Sequence, residues 1–246
     1  MQLRDKMKVL NLYAGIGGNR KLWKDVDVTA VEIDSKIADV YKKFFPKDKV
    51  IVEDAHQYLL NHYNEFDFIW SSPPCQTHSS FRYNISVRYN KVKEKYPDMT
   101  LYQEILFLMY HFKGLWVVEN VKPYYKPLIK GKQLQRHLFW SNFSIPDFNF
   151  KSDVIRRNQI PQLQQITGFD LSDIKIENKR QILRNCVKPE LGRYVLDCAL
   201  ESLVIMKNFK NLDKKFKQID ESTRKSLMVS SETMHKRFGS NHSIEG

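Results

Sequence analysis

Lys8-Val9-Leu10-Asn11-Leu12-Tyr13-Ala14-Gly15-Ile16-Gly17-Gly18 is a short apolar run closed by a glycine turn, and its reading decides the fold. The run Lys8–Ala14 is too short for a stable helix and suits a strand buried on both faces. The turn Gly15–Gly18 lets the backbone bend sharply and approach a ligand closely while it opens a helix. Working outward, Val26–Ile33 reads as a second strand. Ser35–Phe45 follows as a helix with Ser35 as N-cap, Ile37, Ala38, Tyr41 and Phe45 on one face, and Pro46 at its end.

The same alternation continues. Val50–Val52 is a third strand, His56–Tyr63 a short helix, and Phe66–Trp70 a fourth strand running into Ser71-Ser72-Pro73-Pro74-Cys75. After a polar loop, Thr100-Leu101-Tyr102-Gln103 fits a capping box that opens a helix through about Phe112. Leu115–Val118 is a fifth strand. Strand, turn, helix and strand in repetition predict an α/β fold with a doubly wound, mostly parallel sheet. Beyond Tyr125 the alternation fades. Leu138–Phe143 reads as an edge strand or hairpin arm, residues 144 to 180 are polar and irregular, and Pro189 starts a helix through about Met206.

Composition narrows the function classes. The 246 residues suffice for one α/β domain with a small appendage. No apolar run approaches the length of a membrane span, and Met1–Lys6 lacks the apolar core of a signal peptide, so a cytoplasmic protein without membrane contact is expected. The 3 cysteines, Cys75, Cys186 and Cys198, have neither the number nor the spacing of a disulfide framework or a zinc site, and no metal is expected. The skewed feature is charge. Lys and Arg number 40 against 28 Asp and Glu, a formal +12, which attracts polyanions such as nucleic acid.

One placement carries the chemistry. Gly15–Gly18 follows strand one, Glu32 ends strand two, Asp54 follows strand three, Pro74-Cys75 follows strand four and Glu119 ends strand five. In an open parallel sheet these ends share one edge, where such folds bind ligands. The glycine turn with Glu32, placed to bond ribose hydroxyls, favours a cofactor carrying adenosine. Asp54 reads either as an acceptor for an adenine amino group or as a helix N-cap before Ala55.

Ser72-Pro73-Pro74-Cys75-Gln76 sharpens the chemistry. Methyltransferases acting on amino groups place an aromatic residue after the paired prolines, and here a cysteine stands there. Cytosine C5 is a poor nucleophile, so alkylating it needs covalent activation. A thiolate that adds to C6 makes the ring enamine-like, and C5 then takes a methyl group from a sulfonium donor. The addition places negative charge on N3, which calls for a carboxyl. Glu119, in Val117-Val118-Glu119-Asn120-Val121 on the adjacent strand, can serve.

With these motifs in order, the chain resembles the cytosine-C5 DNA methyltransferase family over most of residues 8–200. Leu12–Gly18 is similar to the family's cofactor motif, with Tyr13 in the place of an aromatic that stacks near adenine. Pro74-Cys75-Gln76 resembles the catalytic loop, Glu119-Asn120-Val121 the motif whose acid contacts cytosine, and Arg184-Asn185-Cys186-Val187 the asparagine motif that returns to the cofactor pocket. The resemblance implies S-adenosyl-L-methionine as cofactor, held by Tyr13, Ala14, Gly15, Gly17, Gly18, Glu32, Asp54, Pro74 and Asn185. It implies Cys75, Glu119 and Arg136 as catalytic residues acting on a cytosine flipped out of double-stranded DNA.

The departures from the family pattern are informative. Gln133-Leu134-Gln135-Arg136-His137 stands where the family has Gln-x-Arg-x-Arg, which leaves Arg136, or else His137, for the cytosine carbonyl. Asn11 replaces the leading acid of the first motif, which is expected to loosen one cofactor contact. The stretch from Phe143 to Asn185 is short for a target-recognition domain. DNA contacts are therefore also assigned to Gln76 and to the loop Ser79–Lys95, with Ser79, Arg82, Arg88 and Lys91 on phosphates or bases. The expected organisation is a catalytic and cofactor-binding domain over 1–140, a small target-recognition subdomain over 141–180, a returning helix over 181–206 and a basic tail over 207–246. A monomer, with a cognate restriction endonuclease as partner, fits this reading. Two alternatives remain: the same chemistry on tRNA cytosine, against which the absence of that branch's Cys-Phe-Thr motif counts, and a catalytically idle DNA-binding homologue.

Overall fold

In a computed structural model, residues 6–89, 92–149, 159–209 and 211–212 are described. The chain divides into two compact units, Met1–Ala199 and Leu200–Gly246. In the second unit residues 200–209 are helical, and most of the expected basic tail lies outside the described residues.

The first unit is built on a sheet of seven strands: β1 (Met7–Leu12), β2 (Val26–Val31), β3 (Lys49–Ile51), β4 (Phe68–Ser71), β5 (Leu115–Val121), β6 (Lys132–Leu134) and β7 (His137–Ser141). Their order is β3-β2-β1-β4-β5-β7-β6. The first five strands pair in parallel, and β7 pairs antiparallel with both β5 and β6. The order therefore reverses between β1 and β4, the switch point at which ligands bind in this architecture. The expected α/β, doubly wound, mostly parallel sheet is present. Leu138–Phe143, read as an edge strand or hairpin arm, is represented by β7, which is a hairpin arm and lies inside the sheet, with β6 at the edge.

Both faces are covered, which is why the strands are nearly continuous in apolar residues. On one face Leu10, Leu12, Ile69, Trp116 and Val118 pack against α2 (Ala55–His62) and α4 (Thr100–His111). On the other, Ala30 meets Tyr41 of α1 (Ser35–Phe44), while Trp23 packs on Phe68 and Trp70. Trp23 Nε1 also donates to the carbonyl of Gly192, in a helical stretch over 189–199. Each fully buried Leu, Ile or Phe contributes roughly 1.5–3 kcal/mol of transfer free energy. Ile16, Phe169, Leu171 and Leu183 form a further cluster with α5 (Ile160–Thr167) and α6 (Lys179–Asn185), so part of the stretch 144–180 expected to be irregular is a helix.

Register places the strand ends together. Ile51, Val31, Leu12, Ser71 and Val118 are consecutive cross-strand partners, a single row across the sheet. The next residue on each chain is Val52, Glu32, Tyr13, Ser72 and Glu119. Glu119 does not end its strand as expected. The β4 ladder stops at Val118, but β5 continues along β7, where Glu119 pairs with Phe139.

Several local expectations are corrected. No helix follows the glycine turn: residues 13–22 are successive turns, with Gly15 and Gly17 at φ 54° and 86°. Asn19 is pinned to Asn11 by reciprocal amide hydrogen bonds, and the Arg20 guanidinium is pinned to Asp48, so the segment is tied down side chain by side chain. The N-cap of α1 is Asp34, not Ser35, because its carboxylate accepts from the amides of Lys36 and Ile37. The Thr100–Gln103 capping box is not formed either; Asp98 accepts from Thr100 N. The expected polar loop after Cys75 contains a helix, α3 (Ser80–Tyr89).

Candidate active site

A cavity of about 990 Å³ opens along the row of strand ends. One side is formed by Tyr13, Ala14, Gly15, Ile16 and Gly18 from the turn after β1 and by Glu32 and Ile33 after β2. Glu32 is held rigidly: Oε2 accepts from Gly15 N at 2.8 Å and Oε1 from Asp34 N at 3.0 Å. Each carboxylate oxygen keeps a second lone pair, so acceptor capacity towards hydroxyl groups remains. A Cβ on Gly15 would stand in open space, while one on Gly18 would come within 2.6 Å of the Val187 carbonyl oxygen. The first glycine leaves room over the cavity. The second lets residues 186–187 close against the turn.

Tyr13 takes φ 55°, a left-handed conformation that costs a non-glycine residue about 1–3 kcal/mol and is kept only where the surroundings hold it. Its hydroxyl donates to Glu104 Oε1 at 2.6 Å. Burial, with Glu104 beside it, pushes the phenol far above its ordinary pKa, so it stays a donor.

The opposite side of the cavity carries a cysteine and a carboxylate. Ser72, Pro73, Pro74 and Cys75 enter from β4, and Glu119 and Asn120 from β5. Asn120 Nδ2 donates to the Pro73 carbonyl at 2.9 Å, and the Cys75 carbonyl accepts from His78 N and Ser79 N at 3.1 Å, so the loop carrying the thiol is held at both ends. Burial and the Glu119 charge push the Cys75 thiol up to about 11, while Arg136 opposes them. Burial pushes the Glu119 carboxyl up, but His137, the Ser72 hydroxyl and Arg136 outweigh it and hold the group below its ordinary value.

Arg136 and His137, left as alternatives by the sequence, both line the cavity and act on each other. Arg136 Nε–H donates to His137 Nε2 at 3.1 Å, and its Nη2 donates to the Arg184 carbonyl at 3.1 Å. Nε2 is therefore an acceptor, which puts the imidazole proton on Nδ1, where it donates to Glu119 Oε1. The two side chains form a chain of donors that ends on the carboxylate.

Of the residues singled out in the sequence, Tyr13, Ala14, Gly15, Gly18, Glu32, Pro74 and Asn185 line this cavity together with Cys75, Gln76, Ser79, Arg82, Glu119 and Arg136. Three others do not. Gly17 faces away, where a Cβ would meet Phe45 at 2.3 Å. Asp54 caps α2, with Oδ1 accepting from Gln57 N at 2.8 Å, which is the second of its two readings. Arg88 is exposed on the last turn of α3. Lys91 lies outside the described residues. Asn11 is buried and does not line the cavity, but its amide partner Asn19 does. Sequence reasoning missed Ile33, which is 66% exposed at the lip of the cavity, and Asn120 and Glu104. Asn120 stands in a stretch already quoted for its neighbour, whereas Glu104 lies in an ordinary helix and carries no local signal. Among the described residues no cluster of three or more His, Cys, Asp or Glu could hold a metal, and no helix is long and apolar enough to cross a membrane.

Residues 7–138 match a family described as C-5 cytosine-specific DNA methylase. A tRNA (cytosine(38)-C(5))-methyltransferase from Spodoptera frugiperda is 36% identical over 77 residues, 28% of this chain and 23% of that protein, so the chain spans about a quarter of the relative's length. Among solved structures, a DNMT2 variant from Spodoptera frugiperda aligns at 27% identity and TM-score 0.34, over 47% of this chain and 36% of the other. A DNA modification methyltransferase encoded within an E. coli prophage aligns at 23% identity and TM-score 0.32, over 49% and 33%.

Proposed function

Because the chain belongs to the C-5 cytosine-specific DNA methylase family, we propose that it transfers a methyl group from S-adenosylmethionine to C5 of a cytosine in double-stranded DNA. The observation that carries this reading is the meeting of Cys75 and Glu119 in one cavity with Gly15 and Glu32, at the strand ends beside the switch point. The residues suit the cofactor. Glu32 offers acceptors to ribose hydroxyls, and Gly15 leaves open space along the backbone. When bound, S-adenosylmethionine supplies an electrophilic methyl group on a sulfonium.

The chain's own residues do the rest. In the resting pair the proton sits on the Cys75 sulfur and Glu119 is ionised. Addition of sulfur across the ring forms the S–C6 bond, shifts the C5=C6 electrons into an enamine and delivers a proton to N3. Glu119 carries that proton, and the His137 Nδ1–H holds the carboxyl in place. C5 of the enamine would then take the methyl group, the methyl–sulfur bond of the sulfonium breaking to leave a neutral thioether. A base removes the C5 proton, the C6–S bond breaks to re-form C5=C6, and the N3 proton returns through Glu119 to the departing Cys75 sulfur. Cytosine inside a duplex cannot present C6 to a thiol, so the base must be flipped into the cavity. Arg82 on α3, Gln76 and Ser79 line the cavity, which supports their use as nucleic-acid contacts.

A second reading, tRNA cytosine as substrate, is favoured by the name of the Spodoptera frugiperda relative. The experiment is transfer of labelled methyl to duplex DNA and to tRNA by the purified protein. DNA labelling is expected, and labelling of tRNA alone would overturn the DNA assignment. Duplexes containing 5-fluorocytosine should trap a covalent adduct on Cys75, because fluorine replaces the hydrogen that elimination requires. Turnover without an adduct would remove the thiol from the mechanism.

A further inference from the structure

Glu104 is a carboxylate on the inner side of α4 with no solvent exposure, in a place where an apolar side chain would complete the packing of Leu101, Ile105 and Leu108. Burying a carboxylate costs several kcal/mol unless charge-assisted hydrogen bonds compensate. Glu104 has three partners from three other segments. Oε1 accepts from the Tyr13 hydroxyl at 2.6 Å and faces His56 Nδ1 at 3.0 Å, and Oε2 accepts from the Ser71 hydroxyl. Tyr13 begins the turn that lines the cofactor side. Ser71 is the last residue of β4 before Ser72-Pro73-Pro74-Cys75. His56 stands in the first turn of α2, with its side chain 44% exposed.

Neither the addition at C6 nor the proton at N3 uses Glu104. Its geometry does explain how Tyr13 stays in a left-handed backbone conformation, because the phenol is anchored from beneath the sheet edge. It also explains why the strand end carrying the nucleophile loop keeps its place relative to the cofactor turn: both bond the same carboxylate, Tyr13 at Oε1 and Ser71 at Oε2. Resting on the reading that the cavity takes S-adenosylmethionine, we propose that Glu104 is a positioning residue which sets Tyr13 for the cofactor and Ser71 for the Cys75 loop, with His56 as its solvent-facing partner. Cofactor affinity and nucleophile placement then share one buried node.

The test is a double-mutant cycle read by calorimetric binding of S-adenosylhomocysteine, with thermal melts to confirm folding. Tyr13→Phe removes only the phenol oxygen, and Glu104→Met keeps the side-chain length while removing both acceptors. Each should weaken binding about tenfold, which is ~1.4 kcal/mol. The double variant should be no weaker than the worse single variant, because both changes break the same bond. KM for S-adenosylmethionine should rise while KM for nucleic acid stays unchanged, a split that general destabilisation would not produce. Ser71→Ala should lower the single-turnover rate with little effect on S-adenosylhomocysteine binding. Additive losses in the cycle, or wild-type affinity in folded Tyr13→Phe, overturn the proposal while leaving the cofactor reading intact. No binding by the wild-type protein overturns the cofactor reading and this inference with it.

Discussion

Replacing Glu119 by Gln should make Cys75 more reactive towards a simple alkylating agent while it removes methyl transfer. With the thiol pushed up to about 11, only about one molecule in ten thousand carries a thiolate at pH 7. Iodoacetamide labelling of Cys75 should therefore climb roughly tenfold per pH unit between pH 7 and 9, without a plateau. Burial and the Glu119 charge raise this thiol, and Arg136 lowers it. Neutralising the carboxylate thus lowers the thiol pKa, since a nearby like charge is worth roughly one to three units. A one-unit fall raises the thiolate fraction about tenfold and reduces intrinsic nucleophilicity by a factor of about three, so labelling at pH 8 should quicken about threefold. Arg136→Met removes the opposing cation and should slow it. The assay is a time course of labelling with peptide mass mapping, which separates Cys75 from Cys186, a buried thiol pushed up to about 12. Methylation should fall by about 10²- to 10⁴-fold in Glu119→Gln, the usual contribution of a positioned general acid. A labelling plateau below pH 9, slower labelling in Glu119→Gln or faster labelling in Arg136→Met would refute the electrostatic argument.

Cys75→Ser should abolish methyl transfer yet bind S-adenosylhomocysteine within about twofold of wild type, because the cofactor side is built from other segments; retained turnover would rule out the covalent route. Gly18→Ala should lower the melting temperature, since its Cβ would approach the Val187 carbonyl oxygen to 2.6 Å and overpacking costs about 1–3 kcal/mol; an unchanged melt would mean that residues 186–187 yield freely. If the surplus of 40 basic over 28 acidic residues is used on phosphates, log affinity for duplex DNA should fall linearly with log salt concentration, and a flat response would exclude that use of the charge.

How far the fold could be read from sequence follows from which forces are local. The strands were legible because both sheet faces are buried, which leaves runs such as Val9–Leu12 with no polar interruption except Asn11. Helix α3 reads as a loop in the sequence because it has no apolar face: of its residues only Ser86 is buried, so the periodicity that betrays α1 is missing. The cap of α1 was misplaced by one residue because Asp34 and Ser35 are both good acceptors, and only the backbone angle at position 34 decides between them. The helix expected after Gly18 failed for a non-local reason, as the side chains of Asn19 and Arg20 are held by Asn11 and Asp48.

The site divides along the same line. A parallel sheet aligns its strands whatever their separation in sequence, so chemically informative residues past its last parallel row are enough to bring Glu32, Tyr13, Cys75 and Glu119 together. Side-chain partners obey no such rule. His137 reaches Glu119 across 18 residues, Ser71 reaches Glu104 across 33, and Tyr13 reaches it across 91. The local sequence around Glu104 marks only one more position on a helix. Cys75 and Glu119 therefore point to the proposed reaction from sequence, while the groups that hold their geometry become visible only once the chain has folded.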